Sequence, residues 1–257
     1  MATRTHRFQR AFTRDDGRER IAIPFWHGVL FAVGSVAIAF VATTVAFVVM
    51  ILTVVLATGN MPSTNPGHPV NEAAGVVFYL AAGWFAWWGL SKAKLRPFRG
   101  LTSRDARAIL IGIAALFVVR IGTGIQLVLT NQAKHVQAGF EHFDVTSKTP
   151  GITTIAVSLA VLGLVVIAPI VEEIVFRGLL FGAFAGRLGV LGSAVVTALL
   201  FGAAHGDPVL FPTLAAMGFV AALAYAATGN LWVAIVLHAL NNALGAVFIV
   251  GSSLTKH

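Results

Sequence analysis

The stretch VVIAPIVEEIVFRGLLFG, Val165 to Gly182, decides how the chain is read, because it is apolar except for Glu172, Glu173 and Arg177. A charge at the centre of a bilayer costs about 2.5–3.5 kcal/mol on insertion scales. Three charges in one apolar run therefore demand pairing, function or both. On a helix, residues i and i+4 share a face, whereas neighbours point about 100° apart. Glu173 and Arg177 stand in that i, i+4 relation with the acid on the amino-terminal side, the favourable order. They are expected to neutralise one another. Glu172 is left without a local partner, which a purely structural pair does not explain.

The rest of the chain agrees with a membrane setting. Of 257 residues, 57% are hydrophobic and 11% charged, where a soluble domain carries about a quarter charged. Mean hydropathy is +0.85. Only helices or a closed barrel satisfy their backbone groups in lipid. The apolar runs are long and continuous, without the roughly 10-residue alternation of a barrel. The expected fold is all-α, a polytopic transmembrane helical bundle. There is no cysteine, so disulfides and thiolate ligands are excluded and any metal must be held by His, Asp or Glu. The net charge of +8 sits in short clusters flanking apolar runs. That is the pattern of membrane orientation rather than of nucleic-acid binding.

Three regions follow. Residues 1–24 form a basic tail carrying Arg4, Arg7, Arg10, Arg14, Arg18 and Arg20, suited to anionic lipid at a cytoplasmic face. Residues 25–150 hold the N-terminal transmembrane helices, at about Phe25–Ala57, Ala73–Leu90 and Ala108–Thr130. The first is too long for a signal-peptide core. The loop Gly59–Asn71 has three prolines and no Lys or Arg and is expected outside. The basic stretch from Lys92 to Arg107 is expected inside, and Asn131–Pro150 outside. Trp84, Trp87 and Trp88 read as an interfacial belt rather than a ligand platform. Arg120, mid-span, reads as structural.

Residues 151–257 form the third region. They hold an apolar stretch at about Ile152–Ala185 and helices at Leu191–His205, Val209–Ala227 and Leu231–Val250. Turns are expected at Arg187 and Gly189, at Gly206-Asp207-Pro208 and at Thr228-Gly229-Asn230. This predicts seven crossings, or eight if Pro169 breaks the long stretch. A four-helix catalytic core would occupy the C-terminal half.

Within this last region the polar side chains inside apolar segments are Glu172, Glu173, Arg177, His205, His238, Asn241 and Asn242. Glu172 lies 16 residues before Leu188 and His205 lies 17 after it. A turn there brings both to similar depth on antiparallel segments. His238 follows after one more excursion and can return to the same layer, with tilt or a submerged turn absorbing its shorter distance from Gly229. Asn242 shares the face of His238 at i+4, while Asn241 is rotated toward a helix contact. Two chemistries suit this set, and both hydrolyse an amide. In one, His205 and His238 bind Zn2+, with Glu172 as third ligand or general base. In the other, without metal, Glu172 and His205 activate a water while His238 and Asn242 donate hydrogen bonds to the oxyanion.

The segments VEEIVFRG, FGAAH and HALNN resemble the three ordered motifs of the CPBP family of intramembrane proteases. That family includes type II CAAX prenyl endopeptidases and bacteriocin-processing or Abi proteins. Its pattern is Glu-Glu-x-x-x-Arg, Phe-x-x-x-His and His-x-x-x-Asn. Here it falls on Glu172, Glu173 and Arg177, on Phe201 and His205, and on His238 and Asn242. The match runs from about Ala168 to Gly245. The resemblance implies a membrane-embedded endopeptidase, metal- or glutamate-dependent, acting on a membrane-associated polypeptide. By the same resemblance Glu172 and His205 would activate water, His238 and Asn242 would stabilise the oxyanion or help hold an ion, and Glu173, Arg177 and Phe201 would support them. The short, Ala- and Val-rich chain points to a bacterial plasma membrane, with the amino terminus cytoplasmic.

Two other classes compete. A proton-coupled transporter would also use intramembrane Glu, His and Arg, but should show two corresponding halves. The pentapeptide LLFGA recurs at Leu179–Ala183 and Leu199–Ala203 without extending into a repeat. A non-catalytic scaffold or immunity protein would be marked by a lost motif residue, and none is lost.

Overall fold

The computed structural model describes residues 22–61, 69–93, 95, 97–132 and 158–254. The expectations for the basic tail and for most of the two outer loops fall outside the described residues. Three helices come first: α1 (Phe25–Thr58), α2 (Pro69–Lys92) and α3 (Ser103–Leu129). A helical run, Ser158–Ala204, follows. It divides at Gly189, where φ is 69° and ψ −176°, into α4 (158–188) and α5 (190–204). The last two are α6 (Phe211–Thr228) and α7 (Leu231–Leu254). Five of the helical runs are long and apolar enough to cross a membrane, and Leu231–Val247 is a shorter apolar helix. The chain is the all-α membrane bundle expected from its composition.

The turn expected at Gly189 divides the helical run, and no break occurs at Pro169. A proline lacks an N–H and its ring clashes with the carbonyl four residues back. The chain absorbs this by widening the preceding turn, Gly163–Ile167, into a π-helix, in which Ala168 N–H bonds to Gly163 O. The helix therefore runs on through Pro169 without splitting, and the eighth crossing does not arise there. Gly189 occupies a positive-φ region that only glycine enters at little cost. Beyond it α5 returns alongside α4, so that Phe201 meets Phe176 with ring centroids 5.1 Å apart.

Helix α3 starts five residues earlier than its apolar pattern suggests. Thr102 and Asp105 form a reciprocal capping box, which satisfies donors left open at a helix start. Arg99 holds the same carboxylate through both oxygens, at 2.7 and 2.9 Å, and donates to Thr228 O. Leu231 N–H bonds to Pro97 O. The segment before α3 thus clasps the α6–α7 turn.

Helix α4 is the centre of the bundle. It packs on α1 and α2 on one side and on α7 on the other, while α3 lies against α6 and α7. Small residues set these spacings, as with Ala39 of α1 and Ala82 of α2 around Val171. Without a hydrophobic drive between helices in lipid, close backbone approach supplies the attraction. Large apolar side chains such as Phe40 (70% exposed) and Leu56 (86% exposed) face outward, where lipid is the solvent. Trp84, Trp87 and Trp88 are also exposed, and the Lys92 ammonium lies 5.8 Å from the Trp88 ring centre. That arrangement fits an interfacial belt.

Candidate active site

Helix α4 brings the charges to the middle of the bundle. Arg177 Nη1 donates to Glu173 Oε1 at 2.8 Å, and both side chains are fully buried. This is the i, i+4 pair read from the sequence. Arg177 Nη2 also donates to Gly218 O of α6 at 2.7 Å. A Cβ on Gly218 would stand 3.2 Å from Phe201 and 3.3 Å from that Arg177 nitrogen, so glycine allows the close approach. The guanidinium lies 4.9 Å from the centre of the Phe201 ring. A charge buried this deeply would be prohibitive if unpaired, and the carboxylate, the carbonyl and the aromatic face all compensate it.

Glu173 has a second partner that its spacing did not reveal. His238 Nδ1 lies 2.9 Å from the same Oε1. The other ring nitrogen, His238 Nε2, lies 3.8 Å from Glu172 Oε2. His238 is thus suspended between the two adjacent glutamates and packs edge-on to Phe201. With Nδ1–H donated to Glu173, Nε2 accepts a proton in the neutral ring and donates one in the imidazolium.

Glu172 is anchored from outside the motifs. Tyr79 OH of α2 donates to Glu172 Oε1 at 2.9 Å. Glu172 Oε2 is shielded from the surface and has no hydrogen-bond partner. Buried polar atoms are nearly always satisfied, so such an atom asks for an explanation. Tyr79 was not foreseen. Its only sequence signal was a tyrosine in mid-span rather than at an interface.

His205 and Asn242 are placed less centrally. His205 lies just past the end of α5, bonds through Nδ1 to Phe201 O at 2.8 Å, and touches the Phe201 ring. It makes no ion pair with Glu172 among the described residues. Asn242 donates to Leu164 O at 2.9 Å, a carbonyl inside the π-helical turn. Asn241 accepts from Arg120 Nε at 3.0 Å, and Arg120 Nη2 bonds to Asn241 O at 2.8 Å. This agrees with a structural Arg120 and an Asn241 turned to a helix contact. Asp207 Oδ1 accepts from Val209 N and Leu210 N, and so caps the turn expected at Gly206-Asp207-Pro208.

Among the described residues, no three His, Cys, Asp or Glu side chains converge closely enough to hold a metal ion. As placed, Glu172, His205 and His238 do not fit a three-ligand zinc centre. A cavity of about 10 Å³ touches Glu173, Arg177, His238 and Asn241. It is just large enough for one water and far too small for a peptide.

The site lies within residues 154–244, which match the family described as Type II CAAX prenyl endopeptidase Rce1-like. The chain is 34% identical over 87 residues to the putative membrane peptidase YdiL of Bacillus subtilis, covering 34% of this chain and 36% of that protein. It is 28% identical over 145 residues to the membrane-embedded CAAX protease MroQ of Staphylococcus aureus, covering 54% of this chain and 56% of that protein. The chain therefore spans about a third to about half the length of these curated relatives. No solved structure matches it. The helical segment carrying Glu172, His205 and His238 is similar to the Rce1-like type II CAAX prenyl endopeptidases, the likeness that its three motifs displayed.

Proposed function

We propose that this protein is an intramembrane endopeptidase that hydrolyses a peptide bond of a membrane-associated polypeptide. The observation that carries the reading is Glu172 Oε2, an unpartnered carboxylate oxygen facing His238 Nε2 across 3.8 Å. In the reaction a water would take its place between these two atoms, bonded to both. Glu172 takes a proton from the water, and the resulting hydroxide attacks the amide carbon. His238, held by the Glu173–Arg177 pair, and Asn242 donate to the oxyanion. The proton on Glu172 then passes to the leaving nitrogen. His205 serves as the second water-activating group. It carries the larger geometric demand, since Nδ1 is bonded to Phe201 O and Nε2 must reach the water from the end of α5. By likeness to the membrane-embedded CAAX protease of S. aureus, the proposed substrate is a membrane-associated protein or peptide. The positive stretches flanking the helices support a cytoplasmic amino terminus in a bacterial plasma membrane.

The test is cleavage of membrane peptides by the full-length protein in liposomes, with Glu172→Ala and His205→Ala alongside. Loss of cleavage in both supports the assignment. Wild-type rates in both would remove it. Assays in the presence and absence of a chelator and of added Zn2+ measure the metal requirement separately.

A further inference from the structure

We propose that Tyr79 is a positioning residue of the site and that the hydrolytic centre is completed by α2, outside the family match at residues 154–244. The inference rests on the peptidase reading above and deepens it. Glu172 has two oxygens, and their division of labour is set from α2. Oε1 accepts from Tyr79 OH at 2.9 Å. Oε2 has no hydrogen-bond partner and lies 3.8 Å from His238 Nε2. A carboxylate on a free glutamate stem rotates about its last torsion, which is broad. One strong donor removes that freedom, because a hydrogen bond to a charged acceptor is roughly twice as strong as a neutral one. The phenol therefore fixes which oxygen is offered to water, and in which direction.

The packing around Tyr79 is built for this reach. Gly83 lies one turn after Tyr79 on the same face of α2. A Cβ there would stand 2.8 Å from Val171 Cγ2, so α2 approaches α4 closely at the residue next to Glu172. Ala82, Ala39 and Val171 form one buried cluster, and Tyr79, Phe78 and Ile167 pack against it. Helices α1 and α2 thus press the phenol onto Glu172. An ordinary packing tyrosine in lipid would place its hydroxyl at an interface. Here the hydroxyl is spent on a carboxylate in mid-span.

The experiment compares wild type, Tyr79→Phe and Glu172→Ala as full-length protein in liposomes. Tyr79→Phe removes one oxygen and keeps the ring. Its kcat should fall about 10- to 100-fold, the range for losing one hydrogen bond to a charged group, while KM stays within about 2-fold. Infrared spectra of protein carrying ¹³C-carboxyl glutamate should show one carboxylate band shifted in Tyr79→Phe, a readout independent of turnover. An unchanged kcat together with an unchanged band in a folded Tyr79→Phe overturns the inference while leaving the peptidase reading intact. A Glu172→Ala variant that cleaves like wild type overturns that reading instead. Should Tyr79→Phe fail to fold, Gly83→Ala decides. It keeps the phenol but wedges α2 from α4, so a reduced kcat at constant KM supports the inference and a wild-type kcat overturns it.

Discussion

His238 Nδ1 lies 2.9 Å from Glu173 Oε1, although the two residues are 65 positions apart. The same oxygen accepts from Arg177 at 2.8 Å. One carboxylate thus ties two helices together and aims an imidazole. Removing it leaves a fully buried guanidinium without its counter-charge. Glu173→Ala is expected to cost about 3–5 kcal/mol, the range for breaking a buried ion pair, measured by reversible unfolding in mixed micelles. In a cycle with His238→Ala the two losses should fall short of additivity, because the residues share one bond. Full additivity would mean that the contact carries no energy.

Glu172 should behave in the opposite way. It is tied less firmly into the bundle than Glu173, holding one bond to Tyr79 where Glu173 holds both Arg177 and His238. Glu172→Ala is expected to fold much like wild type and to lose cleavage by about 10²- to 10⁴-fold, the contribution of a positioned general base. Unfolding and peptide cleavage on one preparation separate the two effects. A variant that unfolds as readily as Glu173→Ala would make Glu172 structural.

The Arg120–Asn241 contact predicts a stability effect with a compensating partner. Asn241→Leu removes the Oδ1 acceptor and leaves the mid-span guanidinium only the backbone oxygen of residue 241. The cost is expected at about 1.5–3 kcal/mol, as for hydrogen bonds to a charged group. Adding Arg120→Leu removes the stranded charge and should restore part of the loss. The check is the unfolding midpoint of the two single variants and the double. No recovery in the double would show that Arg120 does not depend on Asn241.

Gly189 supplies a backbone test. Its φ of 69° with ψ of −176° is strained for any residue bearing a Cβ, at about 1–3 kcal/mol. Gly189→Ala should therefore destabilise by that amount. It should also slow cleavage, because the return of α5 beside α4 is what brings Phe201 to Arg177 and His238. Gly186→Ala, at a glycine with open space around its Cβ position, should leave both properties unchanged. Equal effects of the two substitutions would contradict the special role of the Gly189 turn.

Much of this protein was legible from residue types and spacing. Long apolar runs dictate helices because lipid offers no partner for an open backbone group. The helix ends fell close to where turn residues and charges put them. The Glu173–Arg177 pair followed from i, i+4 geometry alone, since both ends lie on one helix and need no tertiary information. The turn at Gly189 and the cap at Asp207 were local in the same sense. The early start of α3 was missed because the basic stretch up to Arg107 read as a connection between helices, whereas Thr102 and Asp105 within it close a capping box.

What the tertiary structure alone decided is which side chains meet across helices. The motif spacing allowed Glu172, His205 and His238 to share a depth, but depth fixes neither rotation nor tilt. Glu173, assigned a supporting role, turned out to hold His238 directly, while His205 bonds to its own helix. Tyr79 on α2 could not be found from α4, because a 93-residue separation carries no periodic signal. The sequence by itself determined a membrane bundle and a short set of polar residues within it. Packing of small residues between helices, which sets distances to fractions of an ångström, determined that Glu172 offers one oxygen to Tyr79 and the other toward His238.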